Sequence, residues 1–277
     1  MLVVRHARIQ DIEAIRSMTQ IVYPNEFAYS REMIRGQINA FPEGQFVAEY
    51  NGEIVGYCST FITDEAMALR PHSWNEITGG GYGSQHDPDG DILYGLEVCV
   101  DPRKRGMRIG QRLYNERKRL CKLYRLKVIV FGGRIPGYSR KLKQVESPEE
   151  YVELVKQKKF RDPVLSFQMR NGFQVLGLLH NYLPSDKESR GMAAHLIWRN
   201  PEIDRSTKRQ KGDDLKLQDN LRVGVVQYKQ RAVSSFEQFC QYVEYFIDVV
   251  ADYRGDFVVF PELFTLQLLS IENEHLD

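Results

Sequence analysis

A strand, a turn and a helix that follow one another between Asp91 and Tyr124 constrain this chain more than any other feature. Leu93 to Val100 is mostly apolar, and Pro102 prevents further ladder bonding just after it. Beyond the turn, apolar residues recur at helical spacing, with Arg, Lys and Glu on the opposite face. These apolar residues are Ile109, Leu113, Leu120 and Tyr124. The stretch predicts a buried strand that leads through a short turn into an amphipathic helix.

The turn, Arg105-Gly106-Met107-Arg108-Ile109-Gly110, has the composition of a phosphate-binding loop. Its two glycines let backbone N–H groups approach a ligand, and the helix start offers unpaired donors and partial positive charge. Arg103 and Lys104 add further positive charge. We expect a pyrophosphate to bind here. A basic turn with solvated charges is the alternative that the turn alone leaves open.

Composition narrows the functional classes. A chain of 277 residues, of which 42% are hydrophobic and 27% charged, can bury a substantial core and is long for one domain. The net charge of +1 gives no reason to expect general affinity for nucleic acid. The cysteines form no CxxC pair and have no histidine at zinc spacing, so we expect a reducing compartment and no structural metal. Without a signal peptide or an apolar run of membrane-spanning length, the sequence predicts a cytoplasmic protein that does not enter the membrane.

The segments before the central stretch predict the start of a mixed α/β domain. Asp11 and Ser30 are placed to cap two amphipathic helices, and Asn51-Gly52 is a strong hairpin dipeptide. The predicted strands are Leu2–Ala7, Phe46–Tyr50 and Ile54–Ile62. Residues 63–90 are rich in glycine and aspartate, and we expect a long mobile loop over a binding site, with His86 solvated.

The segments after the helix complete the domain. Residues 139–162 look like an insertion, with a capping box that starts at Ser147. The short helix predicted at Val164–Asn171 ends at Gly172-Phe173. Further strands are predicted at Lys127–Phe131, Phe173–Asn181 and Met192–Trp198.

Val100-Asp101-Pro102, followed by Arg105, Gly106 and Gly110, resembles the acetyl-coenzyme A motif of the GCN5-related N-acetyltransferases (the GNAT family). The order of strand, two helices, hairpin and central strand is also that of GNAT domains. The resemblance implies an acyl-coenzyme A transferase fold in which two strands splay apart around the pantetheine arm. The residues that it assigns to cofactor binding are Val98, Cys99, Val100, Arg105, Gly106, Met107, Arg108, Ile109 and Gly110.

The sequence departs from the family pattern at two positions. Arg108 occupies the place of the middle glycine of the motif, where a side chain either crowds the phosphate or clamps it. Gln168 stands where the family usually has a tyrosine that gives a proton to the departing thiolate, and an amide cannot supply that proton.

Glu97 is the candidate catalytic base. In enzymes of this family an amine attacks the thioester directly, so the ammonium form of the substrate must lose a proton. Glu97 is the only ionisable side chain in the apolar part of the central strand. The alternative is an exposed or ion-paired strand residue. The reaction implied is acetyl transfer from acetyl-coenzyme A to an amine, either a small molecule or a lysine, without a metal and without nucleic acid.

The chain changes character after the first domain, which we place at residues 1–200. Residues 201–220 hold no aromatic side chain and many charges, so they predict a solvated linker. Residues 221–277 predict a strand, a helix opened by a capping box at Ser234, and a second strand that ends before Glu262. A carboxylate just past such a strand lies where open α/β sheets place their sites.

Gly224-Val225-Val226-Gln227, the helix, and Val258-Val259-Phe260-Pro261-Glu262 resemble the opening of a nitrilase-superfamily (carbon–nitrogen hydrolase) domain. The resemblance implies that Glu262 is the general base of a Glu–Lys–Cys triad. None of the four cysteines stands where the nucleophile belongs, so we expect residues 221–277 to have no hydrolase activity of their own.

The overall expectation is a mixed α/β protein, with a GNAT domain followed by an incomplete nitrilase-like β–α–β unit. The arrangement resembles bifunctional acetyltransferase–hydrolase fusions cut short at the C-terminus, and the nitrilase-like segment is a possible contact between copies of the chain. The alternative function is a degenerate domain that binds acyl-coenzyme A and regulates an attached nitrilase or amidase.

Overall fold

A seven-stranded sheet organises the first of the two units into which the chain divides, residues 1–211 and 212–277. The computed structural model describes residues 2–23, 29–203, 222–253, 255 and 257–271. Of the linker predicted at residues 201–220, all but the first three residues lie outside the described part.

The sheet has the strand order β1-β2-β3-β4-β5-β7-β6. Its strands are β1 (Leu2–His6), β2 (Gln45–Tyr50), β3 (Glu53–Thr63), β4 (Ile92–Val100), β5 (Val128–Arg134), β6 (Gln174–Leu179) and β7 (Ala193–Arg199). The β4–β5 pair is parallel, and it runs only from Ile92↔Val128 to Tyr94↔Val130. Beyond Tyr94, β4 remains paired with β3, while β5 remains paired with β7. The two central strands therefore separate after three residue pairs.

Helices cover both faces of the sheet because the strands alternate two apolar sets. The helices of this unit are α1 (Ile12–Val22), α2 (Arg31–Ala40), α3 (Glu65–Leu69), α4 (Trp74–Thr78), α5 (Ile109–Leu123), α6 (Pro148–Lys156) and α7 (Leu165–Arg170). On one face, α5 packs Leu113 against Leu93 and Ile129 within one core cluster. On the other face, α1 and α2 belong to a second cluster that contains Ile92 and Tyr94. This architecture confirms the predicted mixed α/β fold class.

A β-bulge interrupts β4 at its centre. Ser59 of β3 pairs with Glu97, whereas Thr60 pairs with Gly95, so Leu96 is an extra residue on β4. Strict alternation from Gly95 would place Glu97 on the face that α5 covers. The bulge instead aims Glu97 at Tyr23 and Tyr29, on the side of α1 and α2.

The segment predicted as a long mobile loop, residues 63–90, is not a structureless loop, and in that respect the prediction is wrong. It contains α3 and α4, and Trp74 and Ile77 are buried. His86 is only partly exposed: its Nδ1 accepts a hydrogen bond from the Ile62 N–H at 3.1 Å, and its ring stacks on Phe41. The apolar side chains of the short helices are the signal that the glycine-based prediction overlooked.

Two predicted helix caps also differ from the structure. Asp11 makes no side-chain cap, because its carboxylate accepts hydrogen bonds from Arg5 and from the Arg8 N–H. Ser30 caps α2 as predicted. In the second unit the cap is Ser235 rather than Ser234, one residue later in the chain.

The second unit contains two short parallel strands with a helix between them. Residues Val223–Val225 (β8) pair with Phe257–Val259 (β9), and α8 (Phe236–Asp252) connects them. The predicted strand–helix–strand order is therefore confirmed. Phe239 of α8 is buried, whereas Phe236 and Ile247 on the same helix are 64% and 44% exposed.

A buried ion pair fixes the end of β5. Arg134 donates to Asp186 through Nε and Nη2, at 2.7 Å each, and the Ser189 N–H donates to the same carboxylate. Burial alone would raise the pKa of Asp186, but the bonds from Arg134 and Ser189 outweigh it and hold that pKa below its usual range. The pair ties β5 to the connection between β6 and β7.

We expect Asp186→Asn to lower the free energy of unfolding by about 2–3 kcal/mol at pH 7, since a buried guanidinium loses its counter-charge. The folded-state pKa of Asp186 is depressed, so this stability is present above the unfolded pKa of about 4 and is lost as pH falls through the folded pKa. Urea titrations at pH 7 and pH 3 measure the difference, which should shrink at the lower pH. The control is Glu188→Gln, because Glu188 is Arg134's half-exposed second partner. If Asp186→Asn lowers the free energy of unfolding by the same amount at both pH values, Asp186 does not have the depressed folded-state pKa described above.

Candidate functional site

A cavity of about 810 Å³ opens where β4 and β5 separate. Its lining comes from both strands, from the turn before α5, from α7 and from the insertion predicted at residues 139–162. The lining includes Arg105 and Gly110 at the turn and Glu97 at the centre of β4. One cavity thus joins the proposed phosphate loop to the proposed base.

The turn before α5 has the backbone shape that its glycines suggested. Gly106 has a φ of +90° and Arg108 a φ of +57°, both in the left-handed region. Arg108 is the N-cap residue of α5 and makes no side-chain cap, so its side chain leaves the first N–H groups of the helix unoccupied. Asp101 stabilises the preceding turn, because its buried carboxylate accepts from the Arg103 side chain and N–H.

The predicted cofactor-binding residues fall into two groups. Those that line the cavity are Val98, Cys99, Val100, Arg105 and Gly110. Gly106, Met107 and Arg108 lie on the same turn but do not line the cavity. The Ile109 side chain is 2% exposed and belongs to the core, so only its backbone is available at the turn.

Glu97 lies deep in the cavity between two phenols. The hydroxyl groups of Tyr23 and Tyr29 each donate to one of its carboxylate oxygens, at 3.0 Å. Burial raises the pKa of Glu97 above its usual range, while the two tyrosines and the more distant Arg134 oppose the rise. Glu97 is therefore neither an exposed nor an ion-paired strand residue. It is a carboxyl group that binds a proton more tightly than usual.

Gln168 reaches the cavity at the place of the missing tyrosine. It is 5% exposed, and its Oε1 has no hydrogen-bond partner among the described residues. Tyr114, on α5, also lines the cavity, and its neighbours include Gln168 and Arg117. Burial raises the pKa of Tyr114 to about 12, so this phenol keeps its proton at neutral pH.

Three glycines admit polar side chains to the space between β4 and β5. A Cβ at Gly95 would lie 2.6 Å from Arg117 Nη1, and a Cβ at Gly132 would overlap the Tyr182 ring. A Cβ at Gly133 would overlap the Gln168 amide. Sequence reasoning identified neither Arg117 nor Tyr182. The signal for them was a glycine inside each of two strands, which often marks a close approach of another group.

Tyr182 connects the cavity to a buried histidine. Its hydroxyl lies 3.1 Å from that of Tyr94, which lies 2.8 Å from His72 Nε2. Burial lowers the pKa of His72, so the ring is held in its neutral form. These hydroxyl groups form a continuous hydrogen-bonded chain behind the cavity wall.

Glu262 lies in the second unit, in an exposed turn after β9. Nothing in its described surroundings is a cysteine nucleophile, since Cys240 is half-buried on α8 against the core of that unit. Among the described residues, no group of three or more His, Cys, Asp or Glu side chains is arranged to hold a metal ion. Likewise, no described helix is long and apolar enough to cross a membrane.

The chain is similar to a known protein family and to individual proteins of Bacillus subtilis. A model of the acetyltransferase (GNAT) family matches residues 12–133. The chain is 33% identical over 203 residues to "Uncharacterized N-acetyltransferase YkwB" of Bacillus subtilis, covering 72% of this chain and 89% of that protein. It is 41% identical over 274 residues to "Probable hydrolase YhcX" of the same organism, covering 99% of this chain. The chain spans about half, 52%, of the length of that relative.

Two solved structures have a similar fold. The first is the GphF GNAT-like decarboxylase in complex with isobutyryl-CoA, with a TM-score of 0.63, 26% identity, and coverage of 72% of this chain and 99% of that one. The second is the loading GNATL domain of CurA from Lyngbya majuscula, with a TM-score of 0.64, 20% identity, and coverage of 73% and 99%. At that identity the second shows similarity of fold only.

The left-handed Arg108 gives a test of the turn geometry. A non-glycine residue in this region costs about 1 kcal/mol, so Arg108→Gly should raise the free energy of unfolding by roughly that amount. Gly106→Ala, at a φ of +90°, should lower it by a similar or larger amount. Denaturant unfolding of both variants measures the two changes. Changes of the same sign in both variants would show that the turn has a different backbone conformation.

Proposed function

The chain belongs to the acetyltransferase (GNAT) family, which transfers acyl groups from coenzyme A to an acceptor, and we propose that it transfers an acetyl group to an amine. The acceptor is a small molecule or a lysine side chain. One observation carries the proposal: a single cavity joins a phosphate-type turn to a buried carboxyl group of raised pKa.

We expect coenzyme A to bind in the orientation that the turn and the strands suggest. The pyrophosphate would bind the backbone N–H groups of Arg105 to Gly110, where two left-handed residues and a helix N-terminus expose donors. The pantetheine arm would follow Val98 to Val100. Because β5 has already separated from β4 there, the backbone groups on that side of β4 have no strand partner and can bond the amides of the arm. The thioester would then lie near Glu97.

The reaction needs two proton transfers. Glu97 would take a proton from the ammonium form of the acceptor, and its raised pKa makes it a stronger base than an exposed glutamate. The free amine would attack the thioester carbonyl, forming the C–N bond and breaking the C–S bond. Gln168 cannot protonate the departing thiolate. Tyr114, which is neutral and lines the same cavity next to Gln168, is the candidate donor.

The second candidate is a domain that binds acyl-coenzyme A without transfer. It is favoured by Gln168, which replaces the usual proton donor. GphF, whose fold is similar, is a GNAT-like decarboxylase in complex with isobutyryl-CoA, so this fold also accommodates chemistry other than acyl transfer. Incubation with acetyl-coenzyme A and a panel of amines and lysine peptides separates the two candidates. Release of free coenzyme A together with acetylated amine supports the transferase, and binding without turnover supports the binding domain.

We also propose the domain assignment of residues 1–200, a linker at 201–220, and a carbon–nitrogen hydrolase segment at 221–277. The support is the parallel β–α–β unit and the similarity to the probable hydrolase YhcX, which extends over 99% of this chain. In this assignment Glu262 is the base of a hydrolase site, and it takes no part in acyl transfer.

Gly110→Asp tests the phosphate loop. The new carboxylate would lie beside the proposed pyrophosphate site, with its Cβ 3.0 Å from the Phe167 ring, and should weaken coenzyme A binding by about 2 kcal/mol, or roughly 30-fold. Isothermal calorimetry measures the affinity. Gly177→Asp is the matched control, because Gly177 is exposed on β6 and a Cβ there contacts nothing within 4 Å. Unchanged affinity in a folded Gly110→Asp variant would place the pyrophosphate elsewhere.

Glu97→Gln tests the base. The variant should lose turnover by about 10²-fold at neutral pH, and the loss should diminish as pH rises and the amine deprotonates by itself. Steady-state rates between pH 6 and pH 10 measure this profile. Glu262→Gln makes the same substitution in the other unit and should leave acyl transfer unchanged. A loss that is equal at every pH would show that Glu97 acts through structure rather than through proton transfer.

A further inference from the structure

Arg117 is a buried cation without a carboxylate partner. It is 1% exposed and lines the cavity. Its Nη2 donates to two backbone carbonyls, Ser59 O at 3.0 Å and Glu97 O at 2.6 Å, while its Nε has no partner. In the described part of the chain, no carboxylate oxygen lies within 4.0 Å of its guanidinium. Burying an unpaired charge is costly, so the arrangement favours an anion in the adjoining space.

Two other charged side chains of the cavity wall have hydrogen-bond or ion-pair partners of their own. Arg134 has Asp186 at 2.7 Å, and Glu97 accepts from Tyr23 and Tyr29. Arg117 has carbonyls, the neighbouring Cys58 thiol and the faces of two aromatic rings, those of Tyr114 and Phe131, whose centroids lie 5.6 and 5.7 Å from its Cζ. These contacts hold the guanidinium in place without neutralising it.

The position of Arg117 points to the acyl group rather than to the phosphates. Gly95 follows Tyr94, the last β4 residue that pairs with β5, so the guanidinium lies at the closed end of the gap between the strands. The phosphate-type turn lies around Gly110, at the N-terminal start of α5, whereas Arg117 lies further along the same helix. An arm that starts at the turn and follows β4 carries its acyl end toward Gly95. The Gln168 amide and the Tyr182 ring also line the cavity, where they lie against Gly133 and Gly132 of β5.

We propose that this cavity accepts, besides acetyl, an acyl group that carries its own carboxylate, as in a malonyl or succinyl thioester, and that Arg117 binds that carboxylate. The inference rests on the proposed function, since it assumes that coenzyme A occupies the cavity. The carboxylate of such an acyl group is charged at all times, so it can pair with the Arg117 guanidinium, which stays buried throughout the reaction cycle. The oxyanion of acyl transfer exists only briefly, so it would leave the charge of Arg117 unpaired in every other state of the cycle. Unpaired N–H groups of β4 are available to stabilise that oxyanion instead.

Binding of acyl-coenzyme A pairs of equal carbon number tests the proposal. Calorimetry on the full chain compares succinyl- with butyryl-coenzyme A and malonyl- with propionyl-coenzyme A. We expect the wild-type chain to bind at least one carboxylated thioester about tenfold or more tightly than its neutral counterpart. In Arg117→Met this ratio should fall to about one, while affinity for free coenzyme A changes by less than about threefold. Arg119→Met is the control, because Arg119 lies on the same helix and is 78% exposed.

The outcomes separate the inference from the function on which it rests. If the wild-type chain binds coenzyme A but prefers the neutral member of both pairs, the inference is wrong and the proposed function stands. If it binds no coenzyme A thioester at all, the proposed function fails. The wild-type ratios decide the matter even if Arg117→Met does not fold. An Arg117→Met variant that keeps the full preference for the carboxylated thioester would also overturn the role of Arg117.

Discussion

The short pairing of β4 with β5 is the constraint on which the rest of the first unit depends. Two neighbouring strands that hydrogen-bond over only three residue pairs leave backbone donors and acceptors without partners beyond that point. In a buried region such groups are costly unless a ligand or a side chain satisfies them. A fold that keeps this gap inside its sheet therefore keeps a place for an extended, amide-bearing molecule. The helix that starts beside the gap adds a positive terminus to the same cavity.

The gap also determines which side chains can reach the cavity between β4 and β5. Gly95, Gly132 and Gly133 carry no side chains, so Arg117, Tyr182 and Gln168 approach from both faces of the sheet. A strand glycine normally weakens a sheet, because it packs nothing and loses backbone entropy on folding. Here the missing side chain of each glycine costs sheet stability but leaves room for a polar side chain at the cavity wall. The resulting site is more polar than a cavity for an acetyl group alone requires.

The strand–turn–helix at residues 91–124 could be predicted from the sequence, because apolar periodicity, Pro102 and the glycine spacing are all local signals. The sequence also identified Glu97 as a candidate base, since an ionisable residue stands out in an apolar strand. It could not show the bulge at Leu96, which moves Glu97 to the α1–α2 side, because a bulge depends on the partner strand. It could not identify Arg117 either. On a helix with a charged face, one arginine that turns inward has the same local pattern as its solvated neighbours, and only the glycine opposite distinguishes it.

The separation of charges within the cavity explains how Glu97 remains basic. A guanidinium in direct contact would hold the carboxylate in its ionised form and lower its pKa, as Arg134 does for Asp186. Asp186 engages Arg134 through two nitrogens, while the closest partners of Glu97 are two phenols whose own pKa values are raised by burial. Phenols donate hydrogen bonds without bringing a positive charge, so they orient the carboxylate while burial still raises its pKa. Arg117 does not disturb this balance, because its contact with Glu97 is through the backbone carbonyl and not the side chain. The bulge places that carbonyl and that carboxylate on opposite sides of β4, which lets one residue bond a cation through its backbone and keep a carboxyl group of raised pKa.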